Sequence, residues 1–251
     1  MKKIYLLMML LATVFVACSD DDDEKNDDNG NGNGDEKGWV VTMDRIIDYE
    51  KEATLMCAGS GKMEIDWGDG TITKDLELPL YEEYNKDFEG DEFTHAYAKE
   101  GSYKITIKGD VKLTYLDVDC DTVTSLDVTK CPALIRLDCN DNELKTLDVS
   151  KCTELVALRC YSNELTALNV SACTKLRRLD CNYNKLTSLD ISKCIELNYL
   201  DCHENQFSEA AMNVVYNDLP DRTGKDTGTM FGDAKGDATI AKNKNWDITV
   251  Y

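Results

Sequence analysis

A step of 21 residues, running from Leu113 to Phe207 without insertion or deletion, restricts this chain more than any other feature of its sequence. Leucine opens every step, at Leu113, Leu134, Leu155, Leu176 and Leu197, and returns three residues later at Leu116, Leu137, Leu158, Leu179 and Leu200. Val118 and then Cys139, Cys160, Cys181 and Cys202 hold station six, and Asp121, Asn142, Asn163, Asn184 and Asn205 hold station nine. Stations 11, 14 and 16 are Leu, Val or Ile in the complete steps, and station 19 is Cys131, Cys152, Cys173 and Cys194. Stations four and six lie two apart, so in an extended segment they share one face and stations three, five and seven take the other. A single step of this length buries too little apolar surface to offset the entropy of ordering it, so the units must stack and the two ends need covers.

The pattern L-x-x-L-x-C-x-x-N-x-L-x-x-L-D-V-S-x-C resembles a leucine-rich repeat of the internalin-like, 21-residue kind, over four full repeats and part of a fifth. The resemblance implies a short solenoid over residues 111–207, with the station-nine asparagines turning the chain inward and bonding buried backbone of the next coil. It also implies a concave sheet of short strands as the recognition surface.

Residues 39–110 carry strand alternation and turn chemistry. Met63–Trp67 alternates and runs into Gly68-Asp69-Gly70, a tight turn answered by Thr71–Thr73. Ser102–Lys108 alternates strictly, and no further strand of this unit is expected after Gly109. WGDGT followed by HAYAKEGSYKITI resembles the polycystic-kidney-disease-type immunoglobulin-like β-sandwich, interrupted by an acidic insertion from about Asp75 to Glu92. That resemblance makes Trp67 and Tyr103 core aromatics, Asp69 a turn residue and His95 a packing residue. With no linker before Leu113, the sandwich is expected to dock on the first coil as its cap.

Residues 1–18 read as a signal peptide: Lys2 and Lys3, then an apolar run from Ile4 to Val16. The run ends in FVAC, which resembles the lipobox of bacterial lipoproteins and makes Cys18 the lipid-bearing residue. The serine and four aspartates that follow resemble the surface-export signal of Bacteroidetes-type lipoproteins, and residues 19–38 as a whole read as an acidic disordered tether. The expected location is the outer membrane, lipid-anchored and exposed at the cell surface, with no membrane contact beyond the anchor. A formal net charge of −20 argues against nucleic acid as a partner.

After Phe207 the period is lost. Ser208 is a helix N-cap candidate, Pro220 a stop, and Met212, Val215, Tyr216 and Leu219 fall on one helical face. Thr229–Phe231 and Trp246–Val250 read as strands, with a short turn or helix over Ala238–Lys244. Residues 208–251 are therefore expected to form a small α/β C-terminal cap. The whole is mainly β: an immunoglobulin-like sandwich cap, a short solenoid and this closing unit.

Eleven cysteines in an exported chain suggest disulfides, yet eight occupy two repeat stations where an apolar side chain belongs. We expect these to be reduced, inert thiols; Cys57 and Cys120 belong to neither ladder. The chain has no Gly-rich phosphate loop, no H-E-x-x-H and no G-x-S-x-G. We expect no enzyme activity, no metal and no cofactor.

The outward stations vary where the inward ones do not. Tyr115, Arg136, Arg159, Tyr161, Arg178, Tyr199 and His203 occupy stations three, five and seven, with Tyr183 beside them at station eight. Tyrosine and arginine are enriched at binding hot spots. The expected function is non-enzymatic recognition or adhesion, binding a protein of a host or neighbouring cell surface through these eight residues. Glycan binding, with Tyr115, Tyr161, Tyr183 and Tyr199 stacking on sugar rings, is one alternative; a structural spacer in an envelope complex is another.

Overall fold

The computed structural model describes residues 38–49, 51–80, 90–119 and 122–251. Residues 1–37, which hold the expected signal peptide, Cys18 and all of the expected tether but Gly38, lie outside them, as does Cys120. In chain order the elements are β1 (Trp39–Ile47), β2 (Glu52–Ser60), β3 (Lys62–Asp66), β4 (Ile72–Glu77), β5 (Asp91–Ala96), β6 (Gly101–Gly109), β7 (Lys112–Asp117) and β8 (Val123–Asp127). Then come β9 (Arg136–Asp138), β10 (Ala157–Arg159), β11 (Arg178–Asp180), β12 (Tyr199–Asp201), α1 (Glu209–Asp218), β13 (Gly228–Gly232), α2 (Thr239–Lys242) and β14 (Trp246–Val250).

Two sheets organise them. The first, in the order β4-β3-β6-β1-β8, is antiparallel throughout. The second has nine strands, β14-β13-β12-β11-β10-β9-β7-β2-β5; it is antiparallel from β5 to β7 and parallel from β7 onward. Alternation explains the early strands. β1 reads buried and half-buried in turn, with Val41 and Met43 inward, and Ile105 and Ile107 of β6 and Ile65 of β3 do likewise. Around the tight turn, Trp67 donates from Nε1 to Thr73 Oγ1 at 2.9 Å, and Tyr97 donates to the Trp67 carbonyl at 2.9 Å. His95 stacks on Trp67 with centroids 5.0 Å apart and meets Asp69 Oδ2 at 2.8 Å. This bond holds the Asp69 carboxyl below its usual range. His95 is thus tied into the packing of the turn.

Two expectations need correction. A strand does follow Gly109: β7 pairs antiparallel with β2 on one side and parallel with β9 on the other. The same Leu113-x-x-Leu116 that opens the repeat also closes the antiparallel part, so one strand satisfies both patterns and its signal was absorbed by the period. The acidic stretch from Asp75 to Glu92 is not wholly an insertion either. Asp75–Glu77 continue β4 and Asp91–Glu92 begin β5, and residues 81–89 lie outside the described residues.

From β7 on, the 21-residue step becomes a spatial translation. Leu116 pairs in register with Leu137, Leu137 with Leu158, Leu158 with Leu179 and Leu179 with Leu200. The leucines of stations one and four and the station-six cysteines are at most 1 % exposed, and station-six Val118 is 2 %. The asparagine stations repeat one bonding scheme. Asn163 accepts from Leu144 N at 2.9 Å and donates to the carbonyls of Cys139 at 2.9 Å and of Cys160 and Tyr161 at 3.2 Å. Asn142, Asn184 and Asn205 do the same, each in its own coil. The preceding residue is left-handed in each of these coils: Asp141, Ser162, Tyr183 and Glu204 have φ between 49° and 53°. That conformation aims the asparagine amide inward.

The nine cysteines among the described residues are unbridged and buried. The station-19 thiols lie within weak hydrogen-bonding range of carbonyls in the preceding segment: Cys152 Sγ to Val128 O at 3.6 Å, Cys173 to Val149 O at 3.7 Å, Cys194 to Val170 O at 3.8 Å. Burial pushes Cys173 up to about 11 and Cys131, Cys152 and Cys194 up to about 12. At neutral pH such thiols are protonated and poor nucleophiles.

The first coil is held on both sides, since its return segment β8 pairs with β1 while its opening strand β7 pairs with β2. At the far end Ser208 caps α1 by accepting from Ala211 N at 3.1 Å, and Met212, Val215, Tyr216 and Leu219 are buried. The ladder then continues where the period has stopped. Met230 of β13 takes the place after Leu200, and Ile248 of β14 the place after Met230. The spacings of 30 and 18 residues hide this regularity from the sequence. Trp246 is anchored by its Nε1 donating to the Pro220 carbonyl at 2.8 Å.

Candidate recognition face

Seven parallel strands, β7 and β9 to β14, present stations three and five and their equivalents on the face opposite the leucines. Parallel pairing in register brings like stations about 4.8 Å apart, so side chains of successive coils touch. Three rows result. Station three reads Tyr115, Arg136, Ala157, Arg178, Tyr199; station five reads Asp117, Asp138, Arg159, Asp180, Asp201; station seven reads Asp119, Asn140, Tyr161, Asn182, His203. The first two rows run symmetrically about Ala157 and Arg159.

Contact between rows overturns the expectation that all these stations are open to water. Tyr115 is 1 % exposed and is withdrawn as a ligand-contacting residue. The Arg136 guanidinium sits 5.0 Å from its ring centroid, Gly90 lies against its edge, and its hydroxyl donates to Asp117 Oδ2 at 2.8 Å. Gly90 has φ 73°, and a side chain there would meet the Cys57 carbonyl oxygen at 2.9 Å and the Tyr115 ring at 3.1 Å as well as strain the backbone. Asp117, Asp138, Asp180 and Asp201 are buried too, between 2 % and 7 % exposed, as are Asn140 and Asn182. Tight stacking of coils, with arginine and tyrosine stems folded over them, covers these short side chains.

The remaining expected residues divide by position. Arg136 is half-buried, pairing through Nε with Asp138 Oδ2 at 2.9 Å and through Nη2 with the same oxygen. Arg159 reaches that oxygen at 3.1 Å from the next coil. Arg178 lies 3.6 Å over the Tyr199 ring and contacts Asp180 Oδ2 at 3.4 Å. His203 Nδ1 meets Asp201 Oδ1 at 2.5 Å. Tyr183 is 53 % exposed and turns its ring against His203, centroids 5.0 Å apart; Tyr161 and Tyr199 are half-buried.

Two residues on this face escaped the sequence reading. Phe231 lies beside Tyr199 at 5.9 Å, and Tyr251 beside His203 at 4.6 Å. Together with Tyr183 they extend the face into a run of five rings at its C-terminal end. Their positions follow from β13 and β14 joining the ladder, which no periodicity announces. A second feature is a set of unmet acceptors: Asp138 Oδ1, Asp180 Oδ1 and Asn182 Oδ1 are buried without a hydrogen-bond partner. Burial raises the Asp180 carboxyl, helped by the neighbouring Asp201 charge, to about 6, and raises Asp117 to about 7.

Chemically the face is suited to contact and poorly suited to catalysis. Its acids are engaged or covered, its one histidine, His203, is tied to Asp201, and the station-six cysteines lie on the opposite side of the strands. Among the described residues no cluster of three or more His, Cys, Asp or Glu is arranged to hold a metal ion, and no helix is long and apolar enough to cross a membrane.

No protein-family model matches the chain, and no curated protein matches it. Among solved structures it is similar to an internalin, InlF, of Listeria monocytogenes, with 22 % identity and a TM-score of 0.41 over 52 % of this chain and 38 % of that one. It is similar to the functional domain of InlJ of the same organism, described as including a cysteine ladder, with 25 % identity and a TM-score of 0.36 over 55 % and 39 %. A leucine-rich-repeat protein of Leptospira interrogans gives 22 % identity and a TM-score of 0.41 over 54 % and 31 %. The matched part of this chain spans less than two fifths of the length of each of these proteins.

Proposed function

We propose that this chain is a non-enzymatic recognition module that binds a protein partner through the ring- and arginine-bearing face of its parallel strands. The observation that carries the reading is the contrast between the two sides of one ladder. Inward stations repeat Leu and Cys with almost no variation, while outward stations differ in size, charge and hydrogen-bonding from coil to coil. A side chosen only for solubility has no need of guanidinium groups stacked on tyrosine, because stacking immobilises costly side chains. Arg159, Tyr161, Arg178, Tyr183, Tyr199 and His203 are the contacting residues, and Arg136 orders the rim over Tyr115.

The same reading places the module outside the cell. It keeps residues 1–18 as a lipoprotein signal peptide, Cys18 as the lipid attachment point in the outer membrane and residues 19–38 as a tether. It also keeps residues 39–110 as an immunoglobulin-like sandwich of the polycystic-kidney-disease type, 111–207 as the solenoid and 208–251 as its C-terminal cap. Replacing Tyr161, Arg178 and Tyr199 together with alanine tests the face. Capture of a partner from host or neighbouring-cell surface extracts should be lost while the far-ultraviolet circular dichroism is kept; undiminished capture would remove the face from the proposal. The five-ring run favours glycan as a second reading, and a glycan array separates the two.

A further inference from the structure

We propose that β14 pairs antiparallel with the β14 of a second copy of this chain, joining two solenoids end to end through one continuous sheet. This concerns the edge of the sheet and does not rest on the reading of its face.

β14 is the last of the nine strands and is bonded on one side only. Gly228 N donates to Asn245 O at 3.1 Å, and Tyr251 N donates to Gly232 O at 3.0 Å. These two bonds fix the alternation. In a strand the amide and carbonyl of one residue point to the same side, and those of the next residue to the other. Asp247 and Thr249 therefore face β13, while Trp246, Ile248 and Val250 turn their amides and carbonyls to the far side. Among the described residues no strand meets them there. Such a row of unpaired groups is a template for another strand.

The other strand edges are blunted. β4 shifts register opposite Met63–Ile65, with Asp75 left-handed at φ 56° and Lys74 exposed. Val123 of β8 already donates to Asn142 Oδ1 and accepts from Glu143 N. β5 opens with exposed Asp91 and Glu92. β14 has no lysine, no proline and no break in register, and Asp247 is its one charge. It is also apolar on the core side: Ile248 and Ile240 pack on the core but stay half-buried, and Val250 is 46 % exposed.

A second copy is the occupant because the strand is complementary to itself. With a two-fold axis through Ile248, Ile248 meets its own copy and Trp246 meets Val250 of the second copy, each pair exchanging both backbone bonds. Asp247 then lies opposite Thr249 of the second copy, a hydroxyl donor, so like charges do not face each other. On the core side the two Ile248 and Val250 pairs cover one another. The contact is small, which makes the association weak. The net charge of −20 on each chain opposes it at long range, so association should tighten as salt screens that repulsion.

The test is disulfide trapping in the full chain, with the parent chain as control for its native thiols. Asp247 and Thr249 of the second copy form a non-hydrogen-bonded pair with Cα atoms about 4.5 Å apart, within reach of a disulfide. An equal mixture of Asp247→Cys and Thr249→Cys chains under mild oxidant should give a mixed dimer at least tenfold faster than either variant alone. The rate should rise as salt is raised from about 20 to 200 mM, which shortens the screening length. Val250→Pro, added to both variants, removes an outward N–H and leaves the bonds to β13 in place. It should slow trapping at least tenfold with the circular dichroism unchanged. Val250→Lys, a charge on the open edge, should do the same and serves if the proline variant does not fold. No mixed dimer, equal trapping in each variant alone, a rate that falls with salt, or folded edge variants that trap as the parent pair does would each overturn the pairing.

Discussion

Replacing Asn163 with alanine should cost about 3 kcal/mol, although the change touches neither the leucine core nor the binding face. The asparagine is 9 % exposed, and its side chain links two coils. Removing its amide orphans the Leu144 N–H, whose bond to Asn163 Oδ1 is 2.9 Å, and an unpaired buried donor costs about 1–3 kcal/mol. It also deletes the bond to the Cys139 carbonyl at 2.9 Å and two longer ones, of which the shortest is worth about 1 kcal/mol net. For a chain of this size the loss lowers the thermal midpoint by about 6–12 °C, at 2–4 °C per kcal/mol. Urea unfolding followed by circular dichroism gives the same quantity as a shift in midpoint at unchanged slope. Asn205 is the internal comparison: it makes the equivalent bonds but is half-buried at the end of the repeats, where water can satisfy what is lost, so Asn205→Ala should cost distinctly less. Asn163→Asp sharpens the argument. A carboxylate can still accept from Leu144 but would face three carbonyl oxygens, so its folded pKa must rise above the unfolded value of about 3.9. The folded state then holds the proton to higher pH, and the deficit of this variant should shrink as pH falls from 7 towards 4. An Asn163→Ala loss under about 1 kcal/mol, or an equal loss at Asn205, would refute the idea that amide-to-backbone bonds hold the coils together.

Two further expectations follow from the same coils. Ser162 is half-buried with φ 51°, so Ser162→Val should destabilise by about 1–2 kcal/mol through backbone strain alone, measured in urea, whereas Ser162→Asn should be close to neutral. Burial lifts Asp117 to about 7 against about 3.9 unfolded. Its contribution is therefore fully present below about pH 4 and is lost as pH rises through 7. Asp117→Asn should flatten the stability profile between pH 4 and 8, and an unchanged slope would contradict the burial of that carboxyl.

Much of the repeat was legible because a period of 21 makes every residue's environment the average of five observations. Leu155 is read correctly because Leu134 and Leu176 stand where it stands. Burial of the cysteines followed in the same way, from their sharing stations with Val118 and apolar neighbours. Single-copy features were harder. β7 belongs to two patterns at once, and the period masked its second role. Phe231 and Tyr251 looked like parts of a cover because nothing in a spacing of 30 or 18 residues states that their strands join the ladder. Tyr115 misled for a related reason: the station says outward, but Arg136 and the segment at Gly90 close over it.

By itself the sequence determined the axis of the molecule, its inner and outer stations and the asparagine joints, since each is a local consequence of spacing and residue type repeated many times. Only the tertiary structure decided how open the outer face is and where it ends. Exposure depends on what neighbouring coils and non-repeating segments lay across a side chain, and that is a sum over contacts distant in sequence.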